Sequence, residues 1–224
     1  VYSHLGRLRS LFYSNPDKII GVGGCVAQQV GKKIREKFPF VRLVFGPDGI
    51  AFVPDSLDRL RADPDLRISL LDFQEDYPEG EQVYNGQNSP LHAFVTIMEG
   101  CDNFCAYCIV PYTRGRQRSR SSSRVLEECE ALVQGGTREI TLLGQNVNSY
   151  GQDDCGDGIS FAQLLEKVCS IPGLQRVRFT TSHPKDIAPE VIDSFRRFPN
   201  LCPQLHLPLQ AGSNRILSRM GRKY

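Results

Sequence analysis

The sequence contains no apolar run that approaches the roughly 18 residues a membrane-spanning helix needs, so a membrane protein is not expected. Val1 to Tyr13 lack a charged segment followed by an apolar stretch and a small-residue cleavage site; no secretory signal is visible, and the expected location is the reducing cytoplasm. Charge of one sign is also scarce. Twenty-seven Lys and Arg against 25 Asp and Glu leave a formal charge of +2, and phosphate binding needs a concentrated basic face rather than so mild an average. What remains is ordinary for a globular chain: 40% hydrophobic and 23% charged residues, in a length of 224 that suits one large domain or two of common size.

Eight cysteines in a secreted chain of this size would suggest disulfides. In a reducing compartment, clustered cysteines read instead as metal or catalytic sites. Cys101, Cys105 and Cys108 are clustered; Cys129, Cys155, Cys169 and Cys202 are scattered and read as structural thiols, free Cys being among the most buried residue types.

Val1, Leu5, Leu8 and Phe12 recur at helical spacing with no capping residue before them, as if a helix had been entered midway, and a truncated N-terminus is expected. Lys18–Val22 then reads as a strand, Gly23-Gly24-Cys25 as a turn, Ala27–Phe38 as a helix, Val41–Phe45 as a strand and Ser56–Arg61 as a helix. This alternation predicts a small parallel α/β domain over residues 1–62. Periodicity dissolves between Ala62 and Pro90, and residues 63–90, with the acidic stretch Asp72–Glu81, are expected to be a linker. From residue 91 the pattern restarts with strands at His92–Met98, Glu139–Leu143, Arg176–Thr180 and Gln204–Leu207. Helices are expected between and after them at Ser123–Gln134, Phe161–Ser170, Pro189–Phe198 and Ser213–Met220. Four β/α units over residues 91–224 predict a barrel or partial barrel, whose working residues sit in loops after the carboxyl ends of the strands.

Cys101-x-x-x-Cys105-x-x-Cys108 follows the first strand of that second region and gathers three thiols in one loop. On a 4Fe-4S cubane, three cysteine ligands leave one iron open to bind something else. The competing reading is zinc in a non-catalytic metal- or RNA-binding module. Structural zinc wants four ligands at paired spacings, and no histidine or second cysteine pair lies nearby in sequence.

The triplet and its extension Ile109-Val110-Pro111-Tyr112-Thr113-Arg114-Gly115-Arg116 are joined by Gly23-Gly24-Cys25-Val26-Ala27-Gln28 and Leu143-Gly144-Gln145-Asn146-Val147-Asn148. With Phe179-Thr180-Thr181-Ser182-His183-Pro184 and Leu207-Pro208-Leu209-Gln210-Ala211-Gly212-Ser213, the chain resembles the radical S-adenosylmethionine (SAM) tRNA methylthiotransferases over nearly its whole length. The resemblance implies a small N-terminal methylthiotransferase domain followed by an incomplete radical SAM (β/α) barrel. It also implies that Cys101, Cys105 and Cys108 hold a 4Fe-4S cluster whose open iron chelates the amino and carboxylate groups of SAM, with Tyr107 beside the cluster and the adenine. Gln145, Asn146, Ser182 and Gln210 would contact the ribose and methionine ends of SAM. Cys25 matches the third ligand of a second, auxiliary 4Fe-4S cluster, whose first two cysteines have no counterpart before it. The Thr180–Pro184 segment resembles the branch that makes 2-methylthio-isopentenyladenosine beside the tRNA anticodon; branches acting on threonylcarbamoyl-adenosine or a ribosomal-protein aspartate are the alternatives. The implied partners are tRNA and an external electron donor, for a monomeric enzyme of the cytoplasm. Family barrels carry six β/α units and a small RNA-binding domain, so the chain is expected to be part of a longer enzyme that extends beyond both ends.

Local roles compete with these assignments. Asn and Ser in loops often bond nearby backbone, His183 can fix the extended backbone before Pro184, and His206 between Leu205 and Leu207 can line the barrel interior. Arg114, Arg116, Arg118 and Arg120 alternate along the chain and read as a tRNA path, as facing an acidic surface, or as a solvated face.

Overall fold

A computed structural model of the chain describes residues 1–15, 17–75 and 90–224. These fall into two compact units, Val1–Pro78 with Tyr112–Gly115, and Glu79–Pro111 with Arg116–Tyr224.

In the first unit α1 (Tyr2–Ser14) precedes β1 (Ile20–Gly23), α2 (Cys25–Lys37) and β2 (Val41–Phe45). A 3-10 turn (Asp48–Phe52), α3 (Val53–Ala62) and β3 (Ile68–Leu70) complete it. The strands pair in parallel in the order β1-β2-β3. A central parallel strand is covered on both faces and needs apolar groups on both. In β2, Val41 and Val44 pack against Leu5, Ala27, Ile34 and Phe38 on one side, while Leu43 packs against Leu60 and Ile68 on the other. Close packing at the carboxyl end of β1 depends on Gly23, because a Cβ there would lie 2.3 Å from the Phe45 ring. Residue Gly24 then turns the chain into α2 with φ +92°, a conformation that suits glycine. Strand β3 lies within the stretch expected to be linker. Three residues are too short to display alternation, and Ile68 becomes a strand residue by pairing with Leu43 across β2. Most of the acidic stretch Asp72–Glu81 lies outside the described residues.

The second unit contains β4 (His92–Thr96), β5 (Met98–Glu99), α4 (Val110–Thr113, shared with the first unit), β6 (Arg118–Ser119), α5 (Ser122–Gln134) and β7 (Glu139–Leu143). A 3-10 turn (Val147–Ser149) leads to α6 (Phe161–Cys169), β8 (Arg176–Phe179), α7 (Pro189–Arg197) and α8 (Asn214–Arg219). Strands β4, β7 and β8 form a parallel sheet in the order β4-β7-β8, and β5 pairs antiparallel with β6. One face of the sheet carries the core, with Val95, Ile140, Leu142 and Val177 packed against Val125, Cys129, Leu164, Leu165 and Val168 of the helices. On the alternate side of β4, Phe94 is 63% exposed. Helix α6 opens on a capping box in which Ser160 Oγ accepts the Gln163 amide and Gln163 Oε1 accepts the Ser160 amide.

Two expectations are corrected here. The single strand over His92–Met98 is two, because the Ile97 amide donates to the Leu143 carbonyl while the Ile97 carbonyl accepts from Arg120, so the chain changes partners at that residue. Gln204–Leu207 is not a strand. A lone parallel bridge joins Val177 to Leu201, after which Gln204 N donates back to Cys202 O; prolines at 203 and 208 remove two ladder donors. The α/β class and the parallel sheets stand, and the barrel is not closed. No helix among the described residues is long and apolar enough to cross a membrane.

Candidate functional site

Strand β5 is followed by Gly100, whose φ of +72° throws the chain into the cysteine loop. Asp102 braces this loop, accepting the Gln117 amide at 3.2 Å and pairing with Arg116 Nε at 2.7 Å. The Cys105 carbonyl accepts the Cys108 amide at 2.9 Å, so the last two thiols sit on one tight turn. All three cysteines are free; Cys105 is buried, and Cys101 and Cys108 are half-buried. Burial pushes the Cys101 thiol above its ordinary value, and the neighbouring Cys108 and Cys105 add to the shift.

The loops after β7 and β8 face the same end of the sheet. In the first, the Asn146 amide group donates to Asp186 Oδ2 at 2.6 Å and to Ser149 Oγ at 3.0 Å. The second is strained: Thr181 has φ +69°, an unfavourable conformation for a β-branched residue. The two loops are bonded where Val147 N donates to Thr181 O. Among the described residues, the other non-glycine positive φ values are at Phe104, between the first two cysteines, and at Gln210. All three therefore fall in loops that hold candidate site residues.

Asp186 ties these loops together. Besides Asn146 it accepts Asn103 Nδ2 of the cysteine loop at 3.0 Å, and it pairs with Lys185 Nζ at 3.2 Å. Around this anchor Gln145 Oε1, Asn146 Oδ1, both polar atoms of the Asn148 side chain, Ser182 Oγ and His183 Nε2 are buried without a hydrogen-bond partner among the described residues. Leaving a buried polar group unpaired costs about 1–3 kcal/mol, so six in neighbouring loops suit a polar ligand with several donors and acceptors. Burial and then the nearby Arg222 push the His183 imidazole down to about 4, keeping the ring neutral at neutral pH.

The donor set fits an iron–sulfur cluster. Cysteine thiolates are the ligands that hold iron–sulfur clusters, and this loop brings three of them, all free. Three thiols without a fourth ligand also match a cluster with one open iron rather than closed tetrahedral zinc.

Of the residues singled out in sequence, Cys101, Cys105, Cys108, Gln145, Asn146 and Ser182 gather at this end of the second unit. Tyr107 is 52% exposed, and Gln210 is also exposed. Cys25 opens α2 in the first unit, half-buried. His206 is exposed rather than lining an interior, as the barrel does not close around it. The arginine run is not one face. Arg118 and Arg120 are buried, with ion pairs to Glu99 at 3.5 Å and Glu128 at 2.6 Å, while Arg116 is exposed. Cys129 and Cys169 are buried thiols pushed up to about 12 by desolvation; Cys155 and Cys202 are only half-buried. Asp186, Asn103 and Arg222 were missed by reasoning from sequence. The one available signal was a carboxylate four residues beyond Ser182, in a loop already under suspicion.

Comparison with known proteins gives the family. A family model described as the radical SAM superfamily matches residues 95–224. Over all 224 residues the chain is 63% identical to a tRNA-2-methylthio-N(6)-dimethylallyladenosine synthase of Nitratidesulfovibrio vulgaris (strain Hildenborough), covering 50% of that protein. It is 59% identical to the protein of the same name from Oleidesulfovibrio alaskensis, covering 48% of it. The chain thus spans about half the length of the curated relatives it matches. Among solved structures, the cobalamin-dependent SAM radical enzyme OxsB superposes with a TM-score of 0.67 at 16% identity, covering 99% of this chain and 36% of that one. The radical SAM methyltransferase TsrM from Kitasatospora setae superposes with a TM-score of 0.64 at 14% identity, over 98% of this chain and 48% of that one. At such identities the likeness is one of fold.

Proposed function

The chain belongs to the radical SAM superfamily, and we propose that within it the protein is a methylthiotransferase that adds a methylthio group to C2 of isopentenyladenosine next to the tRNA anticodon. The observation that carries this reading is the loop of three free thiols set beside the buried, unpartnered polar atoms of the β7 and β8 loops. The curated relatives bear that activity in their names.

In this reading Cys101, Cys105 and Cys108 hold a 4Fe-4S cluster. Held by these three thiolates, such a cluster would supply the electron needed to cleave SAM. Gln145, Asn146 and Ser182 present acceptors and a hydroxyl to the polar ends of SAM, while Asp186 holds Asn103 and Asn146 in register. Tyr107 would lie beside the cluster and the adenine, and Gln210 would contact the ribose or methionine end of SAM; both are exposed. The chain's neutral His183 adds no charge to the site. In the first unit, which we take to be the methylthiotransferase domain, Cys25 contributes one ligand to an auxiliary cluster. Partners are tRNA and an external electron donor, for a monomeric cytoplasmic enzyme.

The test begins with iron and acid-labile sulfide after anaerobic reconstitution, together with an electron paramagnetic resonance (EPR) spectrum of the reduced protein with and without SAM. A signal that SAM perturbs is expected. Cys101→Ala, Cys105→Ala and Cys108→Ala are each expected to abolish 5′-deoxyadenosine formation. Undiminished formation in any of them would refute the assignment, and stoichiometric zinc without iron would return the protein to the class of binding modules.

A further inference from the structure

Arg222 lies just beyond α8 and is 8% exposed. A guanidinium stays charged at any physiological pH, and burying one calls for an anion or a full set of acceptors. Among the described residues no carboxylate forms an ion pair with it. Its acceptors are instead the Pro208 carbonyl, 3.0 Å from Nη2, the Tyr224 hydroxyl, 3.0 Å from Nε, and the Cys105 sulfur, 3.2 Å from Nη1. Tyr224 is fixed in turn: its hydroxyl donates to Leu209 O at 2.9 Å, its ring lies 5.3 Å from the guanidinium, and its edge meets His183 at 5.5 Å between centroids. The Met220 carbonyl accepts the Ala106 amide at 2.9 Å, which ties the end of α8 to the cysteine loop next to Cys105. The guanidinium is thus clamped on three sides and aimed at one thiol of the triplet.

We propose that Arg222 is a positioning residue that raises the reduction potential of the cluster by donating a charged hydrogen bond to the Cys105 sulfur. This rests on the cluster assignment made above. The physical case is direct. A 4Fe-4S core with three thiolates is a net anion that gains one further negative charge when it takes an electron from a reductant, and hydrogen bonds to its sulfurs and nearby charge are among the factors that set its potential. Cys105 is buried, so the positive charge beside it is poorly screened by water. An N–H directed at the sulfur stabilises the more negative, reduced state over the oxidised one. Lysine would keep the charge but not the planar fork that meets Pro208, Tyr224 and Cys105 at once.

The test uses the full chain, reconstituted anaerobically as wild type, Arg222→Gln and Arg222→Lys. Iron and sulfide are measured, and the EPR signal that SAM perturbs is titrated against potential with dithionite as the electron source. Arg222→Gln is expected to keep its iron and to lower the reduced-to-oxidised ratio at fixed potential about tenfold, which for a one-electron couple is a shift of about 59 mV to more negative values. Arg222→Lys is expected to shift in the same direction by less, and it carries the test if the glutamine variant loses its iron. An iron-loaded variant with the wild-type midpoint would overturn the role of Arg222 alone. Wild-type protein without iron and sulfide would overturn the cluster assignment and this role with it.

Discussion

Replacing Asp186 by Asn keeps the shape of the side chain and removes its charge, which isolates the part this carboxylate plays in joining three loops. In the native protein Oδ2 receives Asn146 Nδ2 at 2.6 Å and Asn103 Nδ2 at 3.0 Å, and the side chain is only 8% exposed. Hydrogen bonds to a charged acceptor contribute about 1.5–3 kcal/mol against about 0.5–1.5 kcal/mol for neutral ones, so weakening two of them should cost the local structure about 2–3 kcal/mol. The adjacent Lys185 is more than one-third exposed and its ion pair adds little. At roughly tenfold per 1.4 kcal/mol, backbone amides that exchange by opening of these loops should exchange roughly 30- to 150-fold faster. Hydrogen–deuterium exchange with peptide-level mass spectrometry reads this directly. Peptides over residues 100–108, 144–149 and 180–186 should accelerate together, while α6, packed in the core, should not change. Acceleration confined to the loop that bears residue 186, or less than threefold in all three, would refute the view that one carboxylate couples them.

The buried pair of Arg120 with Glu128 should behave unlike a surface ion pair. Glu128→Ala takes the carboxylate from a buried guanidinium and should lower stability by about 3–5 kcal/mol in urea unfolding, whereas Arg120→Met with Glu128→Met should lie close to wild type. A loss under about 1 kcal/mol in the single variant would mean that the pair acts as an exposed one. His183, held at about 4 against an ordinary 6.5, takes up its proton more readily in the unfolded chain than in the folded one. Its contribution to stability is therefore complete above pH 6.5 and is lost as the pH falls toward about 4. The urea midpoint should drop across that window, and less steeply in His183→Asn; equal slopes in the two proteins would show that another group is responsible.

Much of the fold was legible where local chemistry is decisive. Strands β2 and β7 match their expected bounds, Val41–Phe45 and Glu139–Leu143, because buried parallel strands are short apolar runs closed off by turn residues. Helices α5, α6 and α7 lie within a residue of expectation for the equivalent reason, a 3.6-residue apolar stripe, to which α6 adds its capping box. Strand β3 was not legible, since three residues carry no period. Nor was the failure of Gln204–Leu207 to pair, because alternation states which face a strand would bury but not whether a partner edge exists. The surroundings of Arg118 and Arg120 stayed open for a related reason: an alternating charge run looks the same whether it faces water or carboxylates brought in by other elements.

By itself the sequence determined the contents of the cysteine loop. Only five intervening residues keep Cys101, Cys105 and Cys108 within short reach of one another whatever the rest of the chain does, and a glycine at position 100 permits the turn that starts the loop. Only the tertiary structure decided what surrounds that loop. Asp186 meets Asn146 from 40 residues away and Asn103 from 83, and Arg222 meets Cys105 from 117. No period or spacing connects residues so far apart. They meet because parallel strands, each followed by a helix that returns the chain, deliver the carboxyl ends of β7 and β8 and the end of α8 to the side of the sheet where the thiols lie.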